Sequence, residues 1–201
     1  MGCDIHIYVE RKHYGKWYNA DYFVPNASRK GEQYQHVPIY DGRNYALFAT
    51  LADVRNYGNT AYVSEPKGLP DDITDFVKSE WGTWVFDGHS CSYLTLRELL
   101  DFHEAGHPLK RRGMLSPKQQ KELDEGIIPE HWCQGTNQLG YEFREWEEEN
   151  NILLPLIKKL KERCNELNMI YDFAWDSNNL DMRRTAYENA KNIRIVFWFD
   201  N

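Results

Sequence analysis

From Cys3 to Glu10 apolar and polar residues alternate, with Cys3, Ile5, Ile7 and Val9 on one side and Asp4, His6, Tyr8 and Glu10 on the other. That two-residue period predicts a half-buried strand. The polar stretch His13 to Lys16, with Gly15 at a turn-permissive position, separates it from Trp17 to Val24, so the chain opens on a β-hairpin. Pro25 to Gln35 is polar and reads as a loop.

The period then changes. Leu47, Phe48, Leu51 and Val54 fall at helical spacing and predict a helix over Asn44 to Val54. Beyond the breakers Pro66, Gly68 and Pro70, the residues Asp71 and Asp72 lead into a short helix carrying Ile73, Phe76 and Val77 and ending near Gly82. Thr95-Leu96-Arg97-Glu98 has the form of a capping box, so a helix starts at Thr95 and stops at Gly106 and Pro108. Ser116-Pro117 opens another short polar helix. The longest covers Asn151 to Leu167, with Leu153, Leu156, Ile157, Leu160, Cys164 and Leu167 on one face. The acidic stretch Glu145 to Glu149 is a candidate helical extension, divided from it by Pro155. Ile193 to Phe199 is β-branched and aromatic and predicts a terminal strand, which pairing beside the first strand would protect from becoming an exposed edge. Together these elements predict one α/β or α+β domain over residues 1–201, a mixed β-sheet with an N-terminal hairpin and a C-terminal strand and helices packed against it.

Composition narrows the function classes. At 41% hydrophobic and 14% aromatic residues the chain can build a core, and no apolar run reaches the roughly 18 to 20 residues of a membrane helix. The first residues lack a secretion signal, which predicts a cytoplasmic protein without a membrane partner. Met-Gly-Cys at the start does not make a myristoylation site, since His6 stands where Ser or Thr is wanted. Cys3, Cys91, Cys133 and Cys164 form no Cys-x-x-Cys pair and are expected as free thiols. A net charge of −7 argues against binding bulk nucleic acid, the only dense basic cluster being Lys110-Arg111-Arg112. A small anionic or nucleotide ligand remains open, because a few placed guanidinium and backbone N–H groups hold a phosphate on an acidic protein.

Of short catalytic patterns only His103-Glu104-Ala105-Gly106-His107 matches, as H-E-x-x-H. Zinc chemistry needs both imidazoles on one continuous helix, and Gly106 and Pro108 put His107 at or past the helix end. P-loop, G-x-G-x-x-G and G-x-S-x-G signatures are absent. A less familiar constellation carries more. Asp4 and His6 project from one strand face, and Asp87-Gly88-His89 repeats the pairing, giving candidate ligands for a divalent metal ion. Asp200 joins them if the terminal strands pair. Ser90 and Ser92 add hydroxyls ahead of the capped helix, and Arg43 and Asn44 precede another, so these four with His89 are candidate contacts for an anion. Each has a plainer fate, as a surface ion pair, a turn or a satisfied loop. Tyr8, Trp17, Tyr45, Trp84, Tyr93 and Trp198 have rings that could stack a nucleobase, although core packing is the commoner use of such residues.

The stretches MGCDIHIYVE, RNYALFATLADVRN, KGLPDDIT, DGHSCSYLTLRELL and IRIVFWFDN, spread from one terminus to the other, resemble a largely bacteriophage-encoded protein family. What that resemblance implies is a phage accessory protein in the host cytoplasm, acting against host immune signalling by sequestering a small nucleotide-derived or other anionic ligand. Two alternatives stand beside it. One is a metal-dependent phosphoesterase or other hydrolase using Asp4, His6, Asp87 and His89. The other is a protein-interaction inhibitor of a host factor. Both site-based readings require the Asp4–His6 and Asp87–His89 segments to meet in space.

Overall fold

A computed structural model describes residues 2–27, 33–167 and 174–201. Strand β1 (Asp4–His13) turns at Tyr14 and Gly15, both at positive φ, into β2 (Lys16–Asn19), as a two-residue hairpin turn requires. The predicted second strand breaks at Ala20 and Asp21. The backbone N–H of Ala20 bonds to the Val9 carbonyl, and the Asp21 carboxylate accepts from the Val9 N–H. The chain then makes a separate ribbon of β3 (Tyr22–Pro25) and β4 (Tyr34–Val37), whose ends take only Pro25, Tyr34 and Gln35 from the predicted polar loop; Ser28 and Gly31 of that loop lie outside the described residues.

Helix α1 (Tyr45–Ala52) is capped by Asn44 and α2 (Asp75–Trp84) begins after Thr74. Strand β5 (His89–Thr95) runs directly into α3 (Leu96–Glu104), where Thr95 and Glu98 form the predicted capping box. After β6 (Leu109–Leu115) a second box, Ser116 with Gln119, opens α4 (Pro117–Asp124). The acidic stretch read as a helical extension is strand β7 (Glu142–Glu148), paired with β6 so that Lys110 faces Glu147 and Arg112 faces Glu145. Opposite charges across the ribbon outweigh the helix preference of Glu. Helix α5 (Leu154–Glu166) tolerates Pro155 in its first turn, and α6 (Leu180–Asn189) passes through a single 3-10 turn into β8 (Ile193–Asp200).

The central sheet has the order β2-β1-β8-β5, with every pairing antiparallel, and β8 lies beside β1 as expected. The fold is α+β. Ile5, Ile7, Val9, Ile195, Phe197 and Phe199 share one sheet face and pack with α1, α3 and α5 in a cluster that takes residues from both ends of the chain. The opposite face is covered as well. Tyr8, Val196 and Trp198 pack there against Val77, Trp81 and Trp84 of α2. From Tyr8 to Glu10 the alternation in β1 therefore separates two interiors rather than an interior from water, and Glu10 is fully buried, whereas Asp4 at the start of the strand stays half exposed. Its carboxylate accepts from Arg194 at 2.6 Å and from the Thr74 N–H, while Arg194 also reaches Asp72 and lies 4.0 Å over the Trp17 ring. This network ties the entry of α2 to the middle of the sheet.

Candidate functional site

Antiparallel pairing of β1 with β8 sets Asp4 opposite Asp200 and His6 opposite Trp198. The Asp200 carboxylate thereby accepts the Asp4 backbone N–H at 3.0 Å through one oxygen and lies 3.2 Å from His6 Nε2 through the other. The His6 ring lies against Trp84, centroids 3.9 Å apart and planes inclined by 35°. Asp200, Asp4 and His6 are thus brought together as the sequence suggested. Asp4 does not face an open ligand position, however. Arg43 grips both of its oxygens, Nε at 2.9 Å and Nη2 at 2.6 Å, the fork geometry that makes such pairs strong. That guanidinium holds the Asp4 carboxyl below the usual carboxylate range. It also lies against Gly2, where a Cβ would come within 2.3 Å of it.

The other candidates are engaged locally. Asn44 accepts from the Ala46 and Leu47 N–H groups as the cap of α1. Ser92 is fully buried and accepts from the Lys67 N–H. Between His89 and Ser92 the pairing with β8 shifts, with Ser90 at φ +50° and its hydroxyl 3.0 Å from His89 Nδ1. Asp87 lies exposed in the turn after α2. Gly88 is needed there for closeness, since a Cβ would sit 2.5 Å from the Trp81 ring. His89 pairs with Phe199 and stacks on it at 6.0 Å, whereas His6 pairs with Trp198. Successive residues of a strand face opposite ways, so His89 belongs to the Phe199 face and His6 to the Trp198 face. The sheet lies between His6 and His89, and the two imidazoles do not converge. Among the described residues no three His, Cys, Asp or Glu side chains form a group that could hold a metal ion. In the H-E-x-x-H stretch α3 ends at Glu104, Gly106 takes φ +67°, and His107 follows beyond the helix.

A second place, not marked by the sequence pattern, lies where the loop after α1 meets β6. The loop after α1 runs from Asp53 to Thr60 and docks on the edge of β6: Thr60 Oγ1 accepts from the Lys110 N–H, and a Cβ on Gly58 would meet the Lys110 carbonyl oxygen at 2.2 Å. The loop holds three non-glycine residues at positive φ, Asp53, Arg55 and Asn59. Asp53 caps α1 and asparagine tolerates this region, but arginine rarely adopts it. Arg55 is held by neutral groups, donating to Asn201 Oδ1 at 2.9 Å and to the Tyr57 hydroxyl at 3.3 Å, with the Cys3 thiol as a third neighbour. Burial raises the pKa of that thiol, against the opposing pull of Arg55. Arg43, Arg97, Arg111, Arg144, Arg163 and Arg194 each hold a carboxylate; among the described residues Arg55 has none, and neither do Arg11, Arg112, Arg183 and Arg184.

Arg55 borders a pocket of about 240 Å³ shared with Tyr45 of α1, Lys110, Arg111 and Arg112 of β6, and the segment of Trp132 and Gln134. Arg111 is neutralised by Glu148 at 2.6 Å, and Lys110 lies 3.9 Å from Glu147. On a chain of net charge −7 this concentrates cationic groups around one concavity. Two signals pointed to it: the basic run Lys110-Arg111-Arg112, and the Gly58-Asn59 turn just after Arg55. Neither shows that the two segments meet. The chain matches no protein-family model, no curated protein and no solved structure.

Proposed function

We propose that the protein is a binding protein for a small anionic ligand, which it sequesters in the pocket between the Asp53–Thr60 loop and β6. The observation that carries this reading is Arg55, a guanidinium without a carboxylate partner among the described residues, fixed by neutral acceptors at the border of a pocket. Such a group is oriented in advance and its charge is uncompensated, so an anion gains attraction without first displacing a protein carboxylate. The unusual backbone at Arg55 supports the same reading, since strained conformations gather where a side chain must be aimed. Arg43, by contrast, has its fork filled by Asp4.

Calorimetric titration with phosphate, pyrophosphate, mononucleotides, cyclic dinucleotides, ADP-ribose and short carboxylic acids tests it. Saturable binding of at least one of them is expected. Arg55→Gln should weaken that binding by about tenfold to a hundredfold, the value of a hydrogen bond to a charged group, while Arg43→Gln should leave it unchanged. Binding that survives Arg55→Gln unaltered would contradict the proposal.

A further inference from the structure

The pocket contains a feature that specifies more than charge. In an antiparallel ribbon alternate residues turn their N–H and C=O groups toward and away from the partner strand. On β6 the outward residues can be identified from their partners. Lys110 gives its N–H to Thr60 and its carbonyl faces Gly58, and Met114 exchanges hydrogen bonds with Cys133, N to O at 2.7 Å and O to N at 3.5 Å. Arg112 stands between them on the same edge. Its N–H and C=O therefore point away from β7, and neither has a hydrogen-bond partner among the described residues. The edge of β6 is thus covered by the loop on one side and by the Trp132–Gln134 segment on the other, leaving a gap one residue long. Arg112, like Arg55, lines the pocket.

A donor and an acceptor on one strand residue, facing outward together, match the C=O and N–H of one residue of an extended chain; this is the pairing unit by which peptides add to sheet edges. We infer that the occupant of this pocket is a short peptide-like acid: one residue in extended conformation pairs with the Arg112 backbone, and the free carboxylate that follows it binds Arg55. This rests on the reading of the pocket as an anion site and names the class of anion. The dimensions agree. A pocket of about 240 Å³ lies below the range of about 300 to 1,000 Å³ usual for drug-sized ligands, so the site takes the end of a chain and no long segment. Flanking cover by Thr60 and Cys133 limits pairing to that single residue.

Four ligands, acetyl-alanylglycine, its C-terminal amide, its analogue methylated on the alanine nitrogen, and a mononucleotide, can be titrated into the full chain and into Arg55→Gln. Because the ligand is varied as well as the protein, a folding defect in one variant cannot mimic the result. The acid should bind saturably. Capping the carboxylate and substituting Arg55 should each weaken it by roughly tenfold or more, and methylation, which removes the donor to the Arg112 carbonyl, by roughly tenfold. If the amide or the methylated analogue binds as well as the acid, the inference falls. If the mononucleotide binds in an Arg55-dependent manner and the acid does not, the inference falls and the anion site stands. If neither binds and no other small anion does, both fall.

Discussion

His6 and His89 lie on opposite faces of one sheet because they pair with successive residues of the same strand, Trp198 and Phe199. His6 reaches Asp200 and Trp84; His89 stacks on Phe199 in the larger core. Two strand spacings, about 10 Å, and the thickness of the sheet separate their environments. A double-mutant cycle on stability should therefore show independence: the effects of His6→Ala and His89→Ala in urea unfolding should add to within about 0.5 kcal/mol. A coupling of 1 kcal/mol or more would mean that the two rings share partners after all.

Arg55 offers a direct test of backbone conformation. Arg55→Ala and Arg55→Gly lose the same hydrogen bonds to Tyr57 and Asn201, but only glycine accepts φ +55° without steric cost. The glycine variant should be the more stable by about 1 kcal/mol, with the left-handed penalty outweighing glycine's entropy in the unfolded chain. Equal stabilities, read from thermal or urea unfolding, would show that the loop relaxes to a different conformation.

The buried pair of Glu10 and Arg194 should be costly to break from one side. Glu10→Ala leaves the Arg194 charge in the interior with Asp72 as its remaining carboxylate, and a loss of about 3 to 5 kcal/mol is expected. The double variant Glu10→Leu with Arg194→Met should be less destabilised than Glu10→Ala, because no buried charge is orphaned. Unfolding free energies in the order Glu10→Ala above the double variant would contradict this account.

Acid should act on the α3 cap. Burial raises the pKa of Glu98, but the Lys67 ammonium and the Thr95 N–H and hydroxyl outweigh it, leaving a net lowered value. A carboxyl with a depressed folded-state pKa contributes stability that is present above its unfolded-state pKa, about 4.3, and lost as pH falls through the folded-state value. Wild-type protein should lose stability with falling pH in this window more steeply than Glu98→Gln. Parallel pH profiles for the two would remove Glu98 from the acid response.

Much of the framework was legible because it is written locally. The alternation of β1, the capping box at Thr95, the Ser116-Pro117 helix start and the apolar stripe of α5 each depend on residues within a few positions of one another. Where the reading failed, the deciding partner was distant in sequence. Glu142–Glu148 becomes a strand because Lys110–Arg112 supplies it with opposite charges, and the polar-looking face of β1 is interior at Tyr8 because α2 covers it there. The candidate site divided in the same way. Asp4, His6 and Asp200 meet through strand pairing, which the pattern predicted, but the register at the β5 bulge that turns His89 to the other face is not written in Asp87-Gly88-His89. Arg55 was hidden for a related reason: its meaning depends on the carboxylate it lacks and on the β6 edge that its loop covers.

Amide and guanidinium NMR shifts locate the anion site residue by residue. Sodium phosphate and acetyl-alanylglycine are added in turn to the isotope-labelled full chain. Both should move Arg55 Nε, and the peptide acid should also move the backbone amide of Arg112, with Arg43, His89 and Ser90 unchanged. Saturable shifts at Arg43, His89 or Ser90, with Arg55 and Arg112 still, would put the anion site elsewhere and rule out the Arg55 pocket.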